Sequence, residues 1–151
     1  MLLPYESVFS RYRGIIDDPS ELSLEMGDLI EICTERLRAV VGDPRMRAKF
    51  STLVMYDEIQ QLEFELKNSV DDFSDKEFVL KILSLGMAIQ WYRPKVDSLN
   101  YTMMMIGGKE EKSLQNNYKA MQSRMDVLES ELAAQLSYHG YINNSYIRGN
   151  S

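Results

Sequence analysis

Leu114, Tyr118, Met121, Met125, Leu128 and Leu132 follow one another at spacings of 4, 3, 4, 3 and 4. A side chain returns to the same side of an α-helix every three or four residues, so this run draws one apolar seam along a helix that starts near Lys109. Such a seam must be covered, either by helices of the same chain or by a second copy, and packing within the chain is the simpler arrangement for so short a run. The pattern sets the fold class: mainly α, a bundle of four to five helices with a long C-terminal one.

Three earlier stretches supply the other helices. Tyr5, Val8, Phe9 and Tyr12 recur at helical spacing behind Pro4, and "GIIDDPS" ends that helix near Ile15. A second helix is expected from Pro19 or Ser20 to Val41, with Leu22, Met26, Leu29, Ile30, Cys33, Leu37 and Val40 as its stripe and "GDP" as its stop. The third is announced by "SDKE" at 74–77, where the Ser74 hydroxyl and the Glu77 carboxylate have the spacing of a capping box. It buries Phe78, Ile82, Leu85, Ile89 and Val96, while Ser84, Gly86 and Ala88 leave room for another helix to approach. Pro94 predicts a kink after "IQWY", because it removes a backbone donor and crowds the Gln90 carbonyl. Gly107-Gly108 separates this helix from the last.

Residues 45–73 read two ways. "STLVMY" is rich in β-formers and "LEFELK" alternates Leu62, Phe64 and Leu66 with charged neighbours, which is the pattern of a half-buried strand. A small hairpin or extended excursion at 51–67 fits; a continuous helix through "YDEIQQLEFEL" competes with it. "RMRAKF" before it has room for one more helical turn. At the other end, Gly140 is expected to stop the long helix, leaving 1–137 as a single helical domain and 138–151 as an extended tail with apolar footholds.

Chemistry is sparse. The lone cysteine, Cys33, lies on the apolar stripe and reads as a buried structural thiol. His139 has no second histidine or cysteine nearby, so no metal site is expected. "IGGKEEKS" lacks the spacing of a phosphate loop, and acid pairs such as Asp17-Asp18 and Asp71-Asp72 fall where helix ends and solvated surface need them. With no convergent catalytic set, the expectation is a protein that is not an enzyme and uses no cofactor. A net charge of −6 argues against holding nucleic acid by bulk electrostatics. The longest uncharged runs, 82–92 and 98–108, have 11 residues each, short of the roughly 20 that cross a bilayer. "MLLPYESVFSRYR" lacks the basic and apolar regions of a secretory signal, so synthesis in a cytoplasm is expected.

The contact-forming candidates are clearer. Met103, Met104 and Met105 are consecutive and cannot share one helical face, so one of them is left for the surface or for another molecule. Trp91 and Tyr92 beside Arg93 form an aromatic and cationic patch, and Tyr118, Met121 and Met125 are the seam residues suited to meeting another copy.

In the order of these elements, a capped helix running into "MAIQWYRPKVDSL", the spacer, "GKEEKSLQNNYKAMQSRM" and the ending "QLSYHGYINN", the chain resembles the head-to-tail connector, or adaptor, proteins of tailed bacteriophages. The resemblance spans about 17–147 and is narrowest from Ser74 to Ile142. It implies a virion neck protein, made in the host cytoplasm, that forms a ring, commonly of twelve copies, beneath the portal. DNA would pass through that ring without sequence-specific binding. The implied partners are the portal, the next neck or tail protein and further copies of the chain, with no membrane. It also implies that the C-terminal stretch reaches the portal, through Tyr138, Tyr141, Ile142, Tyr146, Ile147 and Arg148. The alternative is a cytoplasmic helical binding or regulatory module that dimerises through the 114–132 seam.

Overall fold

The structure, a computed structural model, describes residues 1–16, 18–105 and 109–142. Its frame is a pair of 34-residue helices, α5 (Asp72–Met105) and α6 (Lys109–Ile142), packed along each other. Ahead of them come β1 (Leu2–Pro4), α1 (Tyr5–Ile16), α2 (Pro19–Leu22), α3 (Met26–Val41), α4 (Pro44–Arg47), β2 (Phe50–Tyr56) and β3 (Gln61–Leu66). The mainly helical class with a long C-terminal helix is therefore the observed one.

Helix α5 is the centre of the molecule. Val79, Leu80, Ile82, Leu83, Leu85, Met87, Ala88, Ile89, Trp91 and Tyr92 are all buried, so this part of α5 is apolar on every side and must be surrounded. Helices α1, α3 and α6 surround it. Tyr5, Val8, Phe9 and Tyr12 are buried, as their spacing predicts. On the α3 side, a methyl group on Gly86 would stand 2.6 Å from Cγ1 of Val40 and 3.3 Å from Cε of Met46. Glycine at 86 is what lets the two helices come this close.

Residues 50–66 form the hairpin, not the continuous helix. Strands β2 and β3 pair antiparallel with Leu53 opposite Phe64 and Met55 opposite Leu62. Leu62, Phe64 and Leu66 point inward, and Phe50 meets Phe64 edge to face at 6.3 Å. The turn uses Gln60 in the left-handed region, at φ 52°. A third strand, β1, adds to the far edge of β3 with Leu3 opposite Leu62, giving the order β1-β3-β2. Three residues carry too little pattern to be read as a strand, and the partner lies some sixty residues away along the chain.

Three boundaries differ from expectation. The helix expected from Pro19 to Val41 is two helices broken at 23–25, where the Ser23 hydroxyl donates to the Ser20 carbonyl at 2.7 Å. Met26, assigned to its buried stripe, is 72% exposed at the first position of α3. Helix α5 starts at Asp72, not Ser74: the Asp71 carboxylate accepts from the Ser74 amide at 2.7 Å, so aspartate takes the capping role. The neighbouring Asp75 is buried and accepts from the Val70 amide at 2.9 Å and the Ser69 hydroxyl at 2.5 Å. Helix α6 runs through Gly140 to Ile142, so Tyr138–Ile142 are helical instead of extended, while α5 resumes past Pro94 to Met105 as its pattern predicts. Residues 143–151, which hold Tyr146, Ile147 and Arg148, and the Gly107-Gly108 break lie outside the described residues.

Candidate functional site

Polar side chains first tie the elements together. The Tyr12 hydroxyl donates to the buried Glu21 carboxylate at 2.9 Å, and Arg36 donates to both of them. Helices α1, α2 and α3 are thereby joined by one ion pair with a phenol at its centre. Burial holds the Tyr12 phenol well above its ordinary range. Asp57, in the hairpin turn, accepts from the Tyr5 hydroxyl at 2.6 Å and from Arg38. These two donors, the phenol first, hold the Asp57 carboxyl below its usual range. The Trp91 indole donates to Asp18 at 3.0 Å. Each of these groups answers a partner in its own chain, which is the arrangement of a scaffold. Among the described residues, no three of His, Cys, Asp and Glu gather as a metal-ligand set.

Two other regions are unfinished. The first is a two-helix arm. From Asp97 to Met105 on α5 and from Lys112 to Arg124 on α6, none of the described side chains is buried. At about 1.5 Å per residue, α5 continues roughly 14 Å past Val96, its last core residue. Leu99, Met103, Leu114, Tyr118 and Met121 are only half-covered there, and Tyr101 and Met105 are 68% and 73% exposed. A shallow hollow of about 370 Å³ lies where Pro94, Leu99 and Met121 meet.

The second is a cleft of about 470 Å³ at the opposite end of the helix pair, between the start of α5 and the last turns of α6. Phe73, Phe78, Val70, Tyr138 and His139 line it, with Arg11, Glu77 and Lys81 at its sides. Phe73 is 76% exposed and Tyr138 65%. The cations are neutralised, Arg11 by Glu77 at 2.5 Å and Lys81 by Glu131 at 3.4 Å. His139 is buried, its ring stacked on Phe78 with centroids 3.8 Å apart, and neither ring nitrogen has a hydrogen-bond partner among the described residues. Burial first, and the charge of Lys49 second, lower its affinity for a proton, with Asp75 opposing. A neutral imidazole with one donor and one acceptor unmet is the only such side chain among the described residues.

The sequence-predicted contact residues divide between core and surface. Trp91, Tyr92 and Met125 are packed in the chain's own core and offer little to another molecule. Buried Met125, Leu128 and Leu132 give the second half of the seam to packing within the chain. Tyr118 and Met121 are half-covered on the arm together with Met103, and Met105 is exposed; the Met104 side chain is outside the described ones. Tyr138 is exposed at the cleft, while Tyr141 and Ile142 end α6. The residue missed by sequence reasoning is His139. Its signal was present: Leu136 and His139 continue the seam beyond Leu132 at spacings of 4 and 3, which a tail drawn from residue 138 obscures. Cys33 is buried, and burial pushes its thiol up to about 11, as suits a structural thiol.

No protein-family model, curated protein or solved structure matches this chain.

Proposed function

We propose that this chain is a non-enzymatic assembly protein of the tailed-phage neck, an adaptor that joins copies of itself into a ring between the portal and the tail or next neck protein. The observation that carries the reading is the two-helix arm. A helix pair that extends past its core with an apolar seam half-covered gains by meeting another molecule, since burying the remaining apolar surface is favourable at about 25 cal/mol per Å². The scaffold-like pairing of the polar groups supports a structural role, and the net charge of −6 suits a channel wall that lets DNA slide without gripping phosphates. Twelve copies and a virion location follow from the resemblance alone, as does the assignment of Tyr146, Ile147 and Arg148 to portal contact. The alternative of a dimer through the 114–132 seam has only Leu114 to Met121 left to work with.

The test is to mix the purified chain with its portal protein and size the product, for the full chain and for one truncated after Ile142. Truncation at 138, at the boundary first read from the sequence, would also remove buried His139 and confuse assembly with folding. The proposal expects a portal complex with the full chain and its loss on truncation. A chain that ignores the portal refutes it.

A further inference from the structure

The two outer edges of the small sheet are built differently. Strand β1 closes one side with three residues and Pro4, which has no N–H to offer, so that edge is blunt. On the other side β2 runs for seven residues, Phe50–Tyr56, with neither a proline nor a charge. Its one irregularity is the bulge between Phe50 and Thr52; residues 52–56 pair regularly. The Phe64 amide donates to the Met1 carbonyl and its carbonyl accepts from the Met1 amine, both at 2.9 Å, so the Phe64 backbone faces β1. Bonding alternates along an antiparallel ladder, so Glu63 and Glu65 face β2. Leu53 and Met55, opposite Phe64 and Leu62, therefore turn their amides and carbonyls away from β3. No hydrogen bond from a described residue answers them. Leu53 is 6% exposed where Phe64 in the middle strand is 1% exposed, as fits an inward side chain on an edge whose backbone reaches solvent.

We infer that this edge pairs antiparallel with the same edge of a second copy, around a two-fold axis at Val54, and joins the two three-stranded sheets into one. The free groups fix the register. Leu53 of each copy exchanges both bonds with Met55 of the other, inside the regular stretch, which sets Val54 opposite Val54 and Thr52 opposite Tyr56. A second copy suits this edge because the strand carries no charge that would face its own like, and its flanks are of opposite sign. Lys49, just before the bulge, and Glu58, in the hairpin turn, have no ion pair among the described residues. The two-fold axis brings Lys49 of each copy beside Glu58 of the other, at both ends of the paired strands. The contact is one strand wide, so the association is weak and shows at high protein concentration. It is isologous and stops at two copies, so it is separate from the arm contact of a ring and holds or fails without it.

The full chain is tested without portal. Sedimentation at rising concentration should show a monomer–dimer equilibrium. Val54→Lys sets like charges opposite each other and should weaken it about fivefold, with the melting temperature near wild type because Val54 is 40% exposed. Lys49→Glu and Glu58→Lys should each weaken it about threefold, and an equimolar mixture of these two variants should associate as wild type does. That exchange of charge decides the matter if Val54→Lys disturbs the hairpin. Residues opposed at a position without hydrogen bonds have Cα atoms about 4.5 Å apart, within disulfide reach. In a Cys33→Ala background, Val54→Cys should therefore oxidise to a 54–54 dimer about tenfold faster than Met26→Cys, a more exposed control. A monomer at every concentration, charge variants that associate like wild type, or equal oxidation rates overturn the inference. Portal is absent from every sample, so a failed strand pairing is not confused with a failed adaptor.

Discussion

Gly86→Ala sets helix propensity against packing. Alanine is preferred to glycine inside a helix by about 1 kcal/mol, and position 86 is well within α5. The new methyl, however, would sit 2.6 Å from Cγ1 of Val40 and 3.1 Å from Cγ2, so turning the valine brings one methyl in as it takes the other away. Overpacking of this kind costs about 1–3 kcal/mol, which leaves the variant destabilised by about 0–2 kcal/mol once propensity is credited. Urea unfolding at neutral pH reads the difference directly. The sharper measure is the cycle with Val40→Ala. That change alone should cost about 2 kcal/mol as a buried truncation, but in the double variant the methyl on residue 86 enters the vacated space. The two changes should therefore couple favourably by about 1–2 kcal/mol. If Gly86→Ala is stabilising by its full propensity and the two changes add, α3 does not cross α5 at this glycine and the packing described here is wrong.

Further outcomes follow from other residues. The His139 imidazole is held in its neutral form, so the unfolded chain takes up the proton first as pH falls; the stability linked to it is complete above about pH 6.5 and is lost below that. His139→Leu should flatten the fall in stability between about pH 7.5 and about pH 5.5 in thermal melts, and an unchanged slope would show that the ring is not buried neutral. Gln60 stands at φ 52°, where glycine is at ease, so Gln60→Gly should raise the urea midpoint, by about 0.5–1 kcal/mol in free energy; a loss would place the turn in another conformation. Cys33, with its thiol pushed up to about 11, should react with a disulfide reagent about a hundredfold more slowly in the native chain than in denaturant. Equal rates would mean that α3 exposes its apolar face.

Much of this fold was legible because period carries the signal. Tyr5 to Tyr12, Leu62 to Leu66 and Met125 to Leu132 each gave the element and its buried side. What was not legible depended on partners distant in sequence. Strand β1 exists because Leu3 meets Leu62, and the break before Met26 accompanies a buried Glu21 held by Tyr12 and Arg36. Local punctuation misled once. Gly140 is a breaker by propensity, yet α6 continues through it to Ile142. The same error hid the candidate site, since ending α6 early put His139 in a tail instead of on the seam. The contact residues were half visible: consecutive methionines forced one outward, and Met105 is outward, but composition does not tell that Trp91 and Tyr92 are needed inside.

The central claim is that the exposed arm joins this chain to its neighbours in an assembly. Tyr101→Asp with Met105→Asp changes only exposed positions, so circular dichroism and the melting temperature should stay near wild type. The decisive measurement is the mass, by sedimentation, of the wild-type and doubly substituted chains with the portal protein. The account predicts a multi-copy complex for wild type and an arm variant that stays folded but fails to build it. A folded arm variant that assembles as fully as wild type would contradict it.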